Sequence, residues 1–365
     1  MAKKVLVAVS GGVDSSTALL LLREEGYEVA AAHMKLWEYA DVGGDTHYDG
    51  RCCSLEAINE LRLICNDLKI PFYVFNFSKQ FKETVIENFV GEYKSGRTPN
   101  PCILCNTHLK WENFLQKGCE VGADFIATGH YAISDFDEHT GRYRIRKGID
   151  GSRDQSYALW GLTQEALARS LFPLGKYLKK EVREMARRFN LRNAERPESR
   201  EICFIPDDNY RRFLAEWEEK HGKEIEPGEI HDENGKKIGV HSGVPFYTVG
   251  QRKGLGIASP SPLYVQQLDP ARKIVRVGSE AGLYSSETSV SKINWISIAE
   301  KQEPFEAEVK IRYLHKPARG VIAPAQAGKA LIRFQEPQRA ITPGQSAVFY
   351  DGDLLIGGGI IENNS

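Results

Sequence analysis

The sequence predicts an α/β protein: a doubly wound parallel sheet at the N-terminus, a small central domain, and a C-terminal all-β barrel. Three observations carry this. Strand-like and helix-like runs alternate from residue 1 to about 130, as crossover connections between parallel strands require. A Gly-rich turn, Ser10-Gly11-Gly12, joins the first of these strands to the first helix. From about residue 272 short alternating runs are separated by turns, the pattern of a small barrel. The expected domains are 1–207, 208–271 and 272–365.

The elements follow in order. Val5-Leu6-Val7-Ala8-Val9 is an apolar run of the kind buried in a parallel sheet, and Ala18 to Leu22 continues as an apolar helix. Tyr27 to Met34 reads as the second strand, and a polar loop runs from Ala40 to Arg51. Ile58, Leu61, Cys65 and Leu68 share one helical face. Phe72 to Phe75 is a third strand and 79–94 a helix. Residues 96–106 form a Pro- and Cys-containing loop that opens a further helix, and Asp124 to His130 is the fourth strand. Ligands bind such sheets at the carboxyl ends of the strands, where Ser10, Met34 and Gly129 all fall.

Beyond residue 140, Tyr143 to Lys147 reads as a short exposed strand, Lys179 to Phe189 as a cationic helix, and Ile202 to Ile205 as a buried strand. Tyr210 to Lys220 is an amphipathic helix, and Glu233-Asn234-Gly235 signals a hairpin. The alternating runs 274–277, 307–313, 330–334 and 347–350 are assigned to the barrel.

Composition narrows the function. At 41% hydrophobic and 27% charged residues the chain is an ordinary soluble type, and no apolar run approaches the roughly 20 residues of a membrane span. Seven cysteines in 365 residues do not suit a secreted disulfide scaffold, and the start passes directly into a strand, so the cytoplasm is the expected compartment. A net charge of −1 means that nucleic acid would be held by local basic patches, expected at Arg142–Arg153 and Lys179–Arg188.

The stretch Ser10-Gly11-Gly12-Val13-Asp14-Ser15 is suited to an anion. Paired glycines let backbone N–H groups approach a ligand, the serines add donors, and the helix start adds partial positive charge. It matches neither a Walker loop nor the dinucleotide fingerprint. It resembles the PP-loop of ATP pyrophosphatases, which cleave ATP to AMP and pyrophosphate.

Among the cysteines, Cys65 and Cys119 occupy apolar helical positions expected in the core, and Cys52 and Cys53 are read as structural. Cys102 and Cys105 lie where a helix opens, which favours the thiolate. With Cys203 they admit three readings. One is structural zinc, with His108 added. A second is a redox pair of Cys105 and Cys203 that holds a persulfide and closes a disulfide. The third is an iron–sulfur cluster on all three thiolates.

Seven motifs then recur in a fixed order: the PP-loop, Arg97-Thr98-Pro99-Asn100-Pro101 through Cys105-Asn106, Ala127 to His130, Asp154 to Tyr157, Ile202 to Ile205, Gly250 to Ile257, and Thr342 to Tyr350. Together they resemble the tRNA-specific 2-thiouridylases, which place sulfur on C2 of the wobble uridine. The resemblance spans nearly the whole chain and implies ATP with Mg²⁺ as cofactor. It implies tRNA as partner, through the anticodon stem-loops of the Lys, Glu and Gln acceptors, and a sulfur donor such as a cysteine desulfurase or relay protein. It also implies that Ala8, Val9, Ser10, Gly11, Gly12, Val13, Asp14, Ser15, Met34 and Gly129 bind ATP. Cys105 would be the nucleophile and Cys203 the persulfide carrier. Asn100, Pro101 and Cys102 would meet the target base, and His130, Arg153, Asp154, Gln155, Arg312, Tyr313 and Gln345 the tRNA.

One departure stands out. Many members carry Asp where this chain has Cys102, with acid/base work assigned to that Asp. The Cys102-x-x-Cys105 pair with Cys203 therefore keeps a [4Fe–4S] cluster open beside the persulfide route. A PP-loop amidotransferase, or a zinc-containing RNA-binding protein, is the competing function.

Overall fold

The computed structural model describes residues 2–43, 55–195 and 202–363. The first unit is a sheet of five parallel strands in the order Phe72–Asn76, Glu28–Lys35, Lys4–Ala8, Phe125–Ala127 and Ser170–Leu171. Alternation along the strands sends side chains to both faces, and both are covered. Leu6, Ala8 and Ala32 pack into one core with the helices of residues 78–120. Val5, Val7, Val9, Val29 and Ala31 pack into another, with Leu19, Leu61 and Cys65. The order reverses at Lys4–Ala8, whose neighbours run outward on either side. That switch point is where open parallel sheets leave a crevice.

A four-stranded sheet follows, ordered Tyr264–Asp269, Ile274–Gly278, Gly228–His231 and Lys237–His241, around Ile230, Val265, Val275 and Val277. Ile274–Gly278 was expected in the terminal barrel. It pairs instead with Tyr264–Asp269 in a tight hairpin, because Val275 and Val277 complete this smaller core. The hairpin turn at Asp232–Gly235 lies where the sequence placed it, with Gly235 at φ 79°.

The third unit is a barrel of six antiparallel strands: Tyr284–Trp295, Lys329–Arg339, Ala318–Ala325, Phe305–Lys310, Ser346–Asp351 and Leu354–Ile361. It is closed by pairing of the first with the last. A hairpin from the first unit, Ala132–Asp137 with Arg142–Lys147, extends it. The expectation of an exposed strand at Tyr143–Lys147 is therefore corrected. Ile145 is fully buried and pairs with Leu355, which stitches the two units together.

Two local expectations also change. Ile202–Ile205 is a turn rather than a strand, held because Phe204 sits among Phe81, Phe89 and Phe213 at ring distances of 5.3–5.6 Å. Cys119 is exposed and accepts a hydrogen bond from Arg169 (2.9 Å), whereas Cys65 is buried and its thiol is pushed up to about 11 by burial. Cys52, Cys53 and the segment Glu198–Glu201 lie outside the described residues. Among the described residues no helix is long and apolar enough to cross a membrane.

Candidate active site

The turn after the first strand carries the first half of the site. Gly11 adopts φ 82°, a conformation that favours glycine, and Gly12 precedes the helix Val13–Glu24. Ser15 Oγ accepts from the backbone N–H of Ser10 (3.1 Å) and donates to the Gly12 carbonyl (3.2 Å), so the turn closes on itself. Ala8, Val9 and Val13 are buried beneath it. Gly129 abuts it from the neighbouring strand end: a Cβ there would lie 2.8 Å from Ser15 N. Met34 is half-buried at the end of its strand, next to His33, which is buried and donates from Nδ1 to the Val9 carbonyl (3.1 Å). Burial holds that imidazole below its ordinary pKa.

Asp14 has strong partners. Lys179 Nζ donates to both carboxylate oxygens (2.7 and 2.8 Å), and the Tyr131 hydroxyl donates to Oδ1 (2.8 Å). Asn193 Nδ2 donates to the Gly11 carbonyl (2.9 Å) and to Ser16 Oγ (3.0 Å).

The second half is built on the helical run from Pro101 to Glu120. Pro101 opens it with Asn100 at the N-cap, and residues Cys105–Asn113 are π-helical. Such widened turns are frequent at functional sites. Cys105 is buried in the large core, and Cys203 is half-buried against the same cluster, presented by its Phe204 anchor. Cys102 is exposed on the first turn of that helix. Burial raises its thiol and the nearby Lys110 ammonium opposes this. Lys110 donates to Asn106 Oδ1 (2.8 Å), and Asn106 in turn donates to the Ala158 carbonyl (2.9 Å). His130, buried beside Trp111, lies 2.7 Å from Thr128 Oγ1 through Nδ1. Burial first, and Lys110 second, hold it well below its ordinary value, so it is neutral at pH 7.

The barrel docks on the loop that precedes this helix. Gln345 Nε2 donates to the carbonyls of Thr98 and Pro99 (3.0 and 3.2 Å), and Thr98 N donates to Pro343. Arg97 bonds Glu92 (2.8 Å) and Glu362 (2.6 Å), which locks this loop to the last strand. Tyr313 is exposed at 37% and packs its ring 6.0 Å from Tyr157, with Lys310 set against both rings. Burial, then Asp154 and Cys102, raise the Tyr313 phenol, so the barrel loop and Cys102 share one electrostatic neighbourhood. Asn100 hydrogen-bonds Tyr157, and Arg312 acts on it electrostatically.

The structure thus brings Asn100, Arg312 and Tyr313 to Tyr157, and Cys102 and His130 to Lys110, in one neighbourhood. Asp154 is buried, and its carboxylate accepts from Gly148 N, Ser156 N and Ser156 Oγ. Gln155 exchanges hydrogen bonds with the Tyr131 backbone. These two shape the turn that carries the half-buried Arg153. The expected basic patches are corrected in part. Arg142 donates to the carbonyls of Trp295 and Ile296, Arg144 pairs with Asp135 and Asp137, Arg146 pairs with Asp135 and Asp353, and Lys147 donates to Gly352. The docked hairpin thus engages Arg142, Arg146 and Lys147 with the barrel unit and Arg144 within itself. Among the described residues, no three His, Cys, Asp or Glu side chains gather as a metal site.

Sequence reasoning missed Lys110, Tyr131, Lys179 and Asn193. Lys179 belonged to a run read as a basic patch for nucleic acid, and no local signal separated it from its neighbours.

Comparison with known proteins decides the family. Models described as a tRNA methyl transferase HUP domain, a tRNA methyl transferase PRC-barrel domain and an aminomethyltransferase beta-barrel domain match residues 3–207, 214–279 and 285–361. The tRNA-specific 2-thiouridylase MnmA of Geotalea uraniireducens is 50% identical over 99% of this chain and 95% of its own length. The same-named proteins of Carboxydothermus hydrogenoformans and Acetivibrio thermocellus are 48% and 47% identical, each over 99% of this chain and 98% and 99% of their own. The chain belongs to the tRNA-specific 2-thiouridylase family. Membership at this identity extends over all three units, so the barrel is part of what the 2-thiouridylases share.

Proposed function

We propose that this protein makes 2-thiouridine at the wobble position of tRNA, consuming ATP and releasing AMP and pyrophosphate. The observation that carries the reading is the docking of the barrel on the loop that leads to the cysteines, where Gln345 Nε2 donates to the Thr98 and Pro99 carbonyls, in a chain whose first strand ends in a phosphate-type turn. The C2 oxygen of uracil is a poor leaving group. Transfer of the adenylyl group to it lets AMP leave in its place.

Ala8 to Ser15 with Met34 and Gly129 would hold ATP. Mg²⁺ fits a site with one carboxylate, Asp14, where most of its ligands come from substrate phosphates, and it would offset their charge. Cys203 would carry sulfur as a persulfide. In the transfer its terminal sulfur joins C2, the C2–O bond breaks, and AMP departs with the electron pair. The Cys105 thiolate then attacks the Cys203 sulfur, the bond from that sulfur to the transferred sulfur breaks with its electron pair going to the thiouridine, and the pair ends as a disulfide that an external thiol reduces. Their common seat on one core supports the pairing. The target nucleotide, already single-stranded in an anticodon loop, costs little to extrude. Asn100, Pro101 and Cys102 would receive it. His130, Arg153, Asp154, Gln155, Arg312, Tyr313 and Gln345 would contact or shape the tRNA site. In this division the parallel-sheet unit adenylates and transfers sulfur, the four-stranded unit connects, and the barrel holds tRNA. The donor would be a cysteine desulfurase or relay protein, the substrates the Lys, Glu and Gln acceptors, and the compartment the cytoplasm.

The test is a reconstituted reaction with ATP, a persulfide donor and unmodified tRNA, read by pyrophosphate release and by nucleoside mass spectrometry. Asp14→Ala and Ser15→Ala are expected to lose pyrophosphate release, and Arg312→Ala to weaken tRNA binding without changing ATP affinity. Absence of 2-thiouridine with every component present would refute the proposal.

A further inference from the structure

The contact between Lys179 and Asp14 bears on how the phosphate turn handles charge. Lys179 is only 9% exposed and is the first residue of the helix Lys179–Arg188. A buried ammonium is costly, and a cation at the N-terminal end of a helix is further disfavoured by the helix dipole. That helix end has acceptors of its own: Asp150 accepts from Lys179 N (2.9 Å), and Glu181 accepts from Leu178 N (2.6 Å). The Lys179 side chain is directed instead to the start of a second helix, Val13–Glu24, where Asp14 receives it. There one carboxylate faces one ammonium, a Tyr131 hydroxyl and the helix N-terminus. The positive side of that balance exceeds the negative.

A second side chain shapes the turn. Asn193 is 3% exposed and clamps it through Nδ2, which donates to the Gly11 carbonyl and to Ser16 Oγ. Its Oδ1, without a partner among the described residues, is an acceptor and suits a donor rather than a phosphate oxygen, so Asn193 acts here through Nδ2.

We infer that Lys179 is a catalytic residue of the adenylation step, its ammonium turning from Asp14 to the β- and γ-phosphates and bearing the charge of the departing pyrophosphate. Asn193 is a positioning residue that holds the turn in shape for it. The inference rests on the reading of the turn as an ATP site. In the step the uracil O2 bonds to the α-phosphorus, and the bond from that phosphorus to the bridging oxygen breaks. Pyrophosphate leaves with the electron pair, and the uracil N3 proton passes to water. Lys179 stays protonated throughout. The ammonium contributes most where negative charge grows, which is the condition for lowering a barrier rather than only binding substrate.

The experiment is calorimetric titration of the full chain with ATP, pyrophosphate and AMP, comparing wild type with Lys179→Met, Lys179→Arg and the double variant Asp14→Asn/Lys179→Met. Loss of a charge-assisted contact is expected to weaken ATP and pyrophosphate by about tenfold or more, with AMP unchanged and partial recovery in Lys179→Arg. The double variant carries no stranded charge, so it keeps its fold and still binds pyrophosphate weakly. Wild-type pyrophosphate affinity in either Met variant would overturn the inference. So would an equal loss of AMP binding, which would mark a collapsed turn. A wild-type chain that binds neither ATP nor pyrophosphate would instead refute the ATP site itself.

Discussion

Replacing Gly129 by alanine tests the packing of the phosphate turn against the strand beside it. The added Cβ would lie 2.8 Å from Ser15 N, 3.0 Å from the Asp14 carbonyl carbon and 3.1 Å from Ser15 Cα. All three are backbone atoms, so no flexible side chain can give way. Ordinary contact begins at 3.4 Å, so Ser15 N has to retreat by about 0.6 Å, against packing that costs about 1–3 kcal/mol to overfill. That retreat moves the residues held to donate to phosphate. A misplacement of about 1 Å at a reacting centre costs about a hundredfold, so Gly129→Ala is expected to lower kcat/KM for ATP by roughly ten- to a hundredfold. Its unfolding midpoint should fall by about 2–4 °C for each kcal/mol lost. Steady-state pyrophosphate release and thermal unfolding measure the two effects. Gly91→Ala is the control, since its Cβ meets nothing within 4 Å and its residue is exposed on a helix. Wild-type kcat/KM in Gly129→Ala would refute the claim that this contact sets the shape of the turn.

Gly91→Ala should itself raise stability by about 0.5–1 kcal/mol, read as an upward shift in denaturant midpoint, because alanine loses less backbone entropy on entering a helix. Cys105→Ser and Cys203→Ser should each abolish 2-thiouridine formation, while Cys102→Asp, tested with a persulfide donor in air, should retain it. His315 is held at about 4 by burial, with Arg312 and Lys310 adding to the effect. Its neutral form is favoured on folding, so its contribution is complete above the unfolded value near 6.5 and is lost as pH falls from there toward about 4. His315→Gln should flatten the decline of the unfolding midpoint over that window. Affinity for tRNA should fall as salt rises, measured by filter binding, because a chain with net charge −1 holds RNA through local contacts.

Much of this protein was legible in its sequence, where local physics and tertiary physics agree. The run Val5 to Val9 is apolar on every residue because both faces of its strand are covered, and the turn after it needs glycine at Gly11 because φ there is 82°. Helix Tyr210–Lys220 emerged with the bounds its amphipathic pattern indicated, since Phe213, Leu214 and Trp217 form one buried stripe. Pro101 and the cysteines after it open a helix as the residue types require.

What the sequence could not decide is which partner each charge and each short strand meets. Tyr143–Lys147 carries three cations on an alternating strand, a pattern equally suited to solvent or to an RNA surface. Pairing within its hairpin gives Arg144 to Asp135 and Asp137, and only the docking of that hairpin on Leu354–Ile361 brings Arg146 to Asp353. Ile274–Gly278 alternates like a barrel strand, and the choice between two β units rested on whose core its valines complete. Lys179 sits among cationic neighbours on one helix, and its link to Asp14 spans 165 positions of chain. Composition and periodicity report a residue's own preference for water or apolar surroundings. They carry no record of the distant group that a fold sets 2.7 Å away.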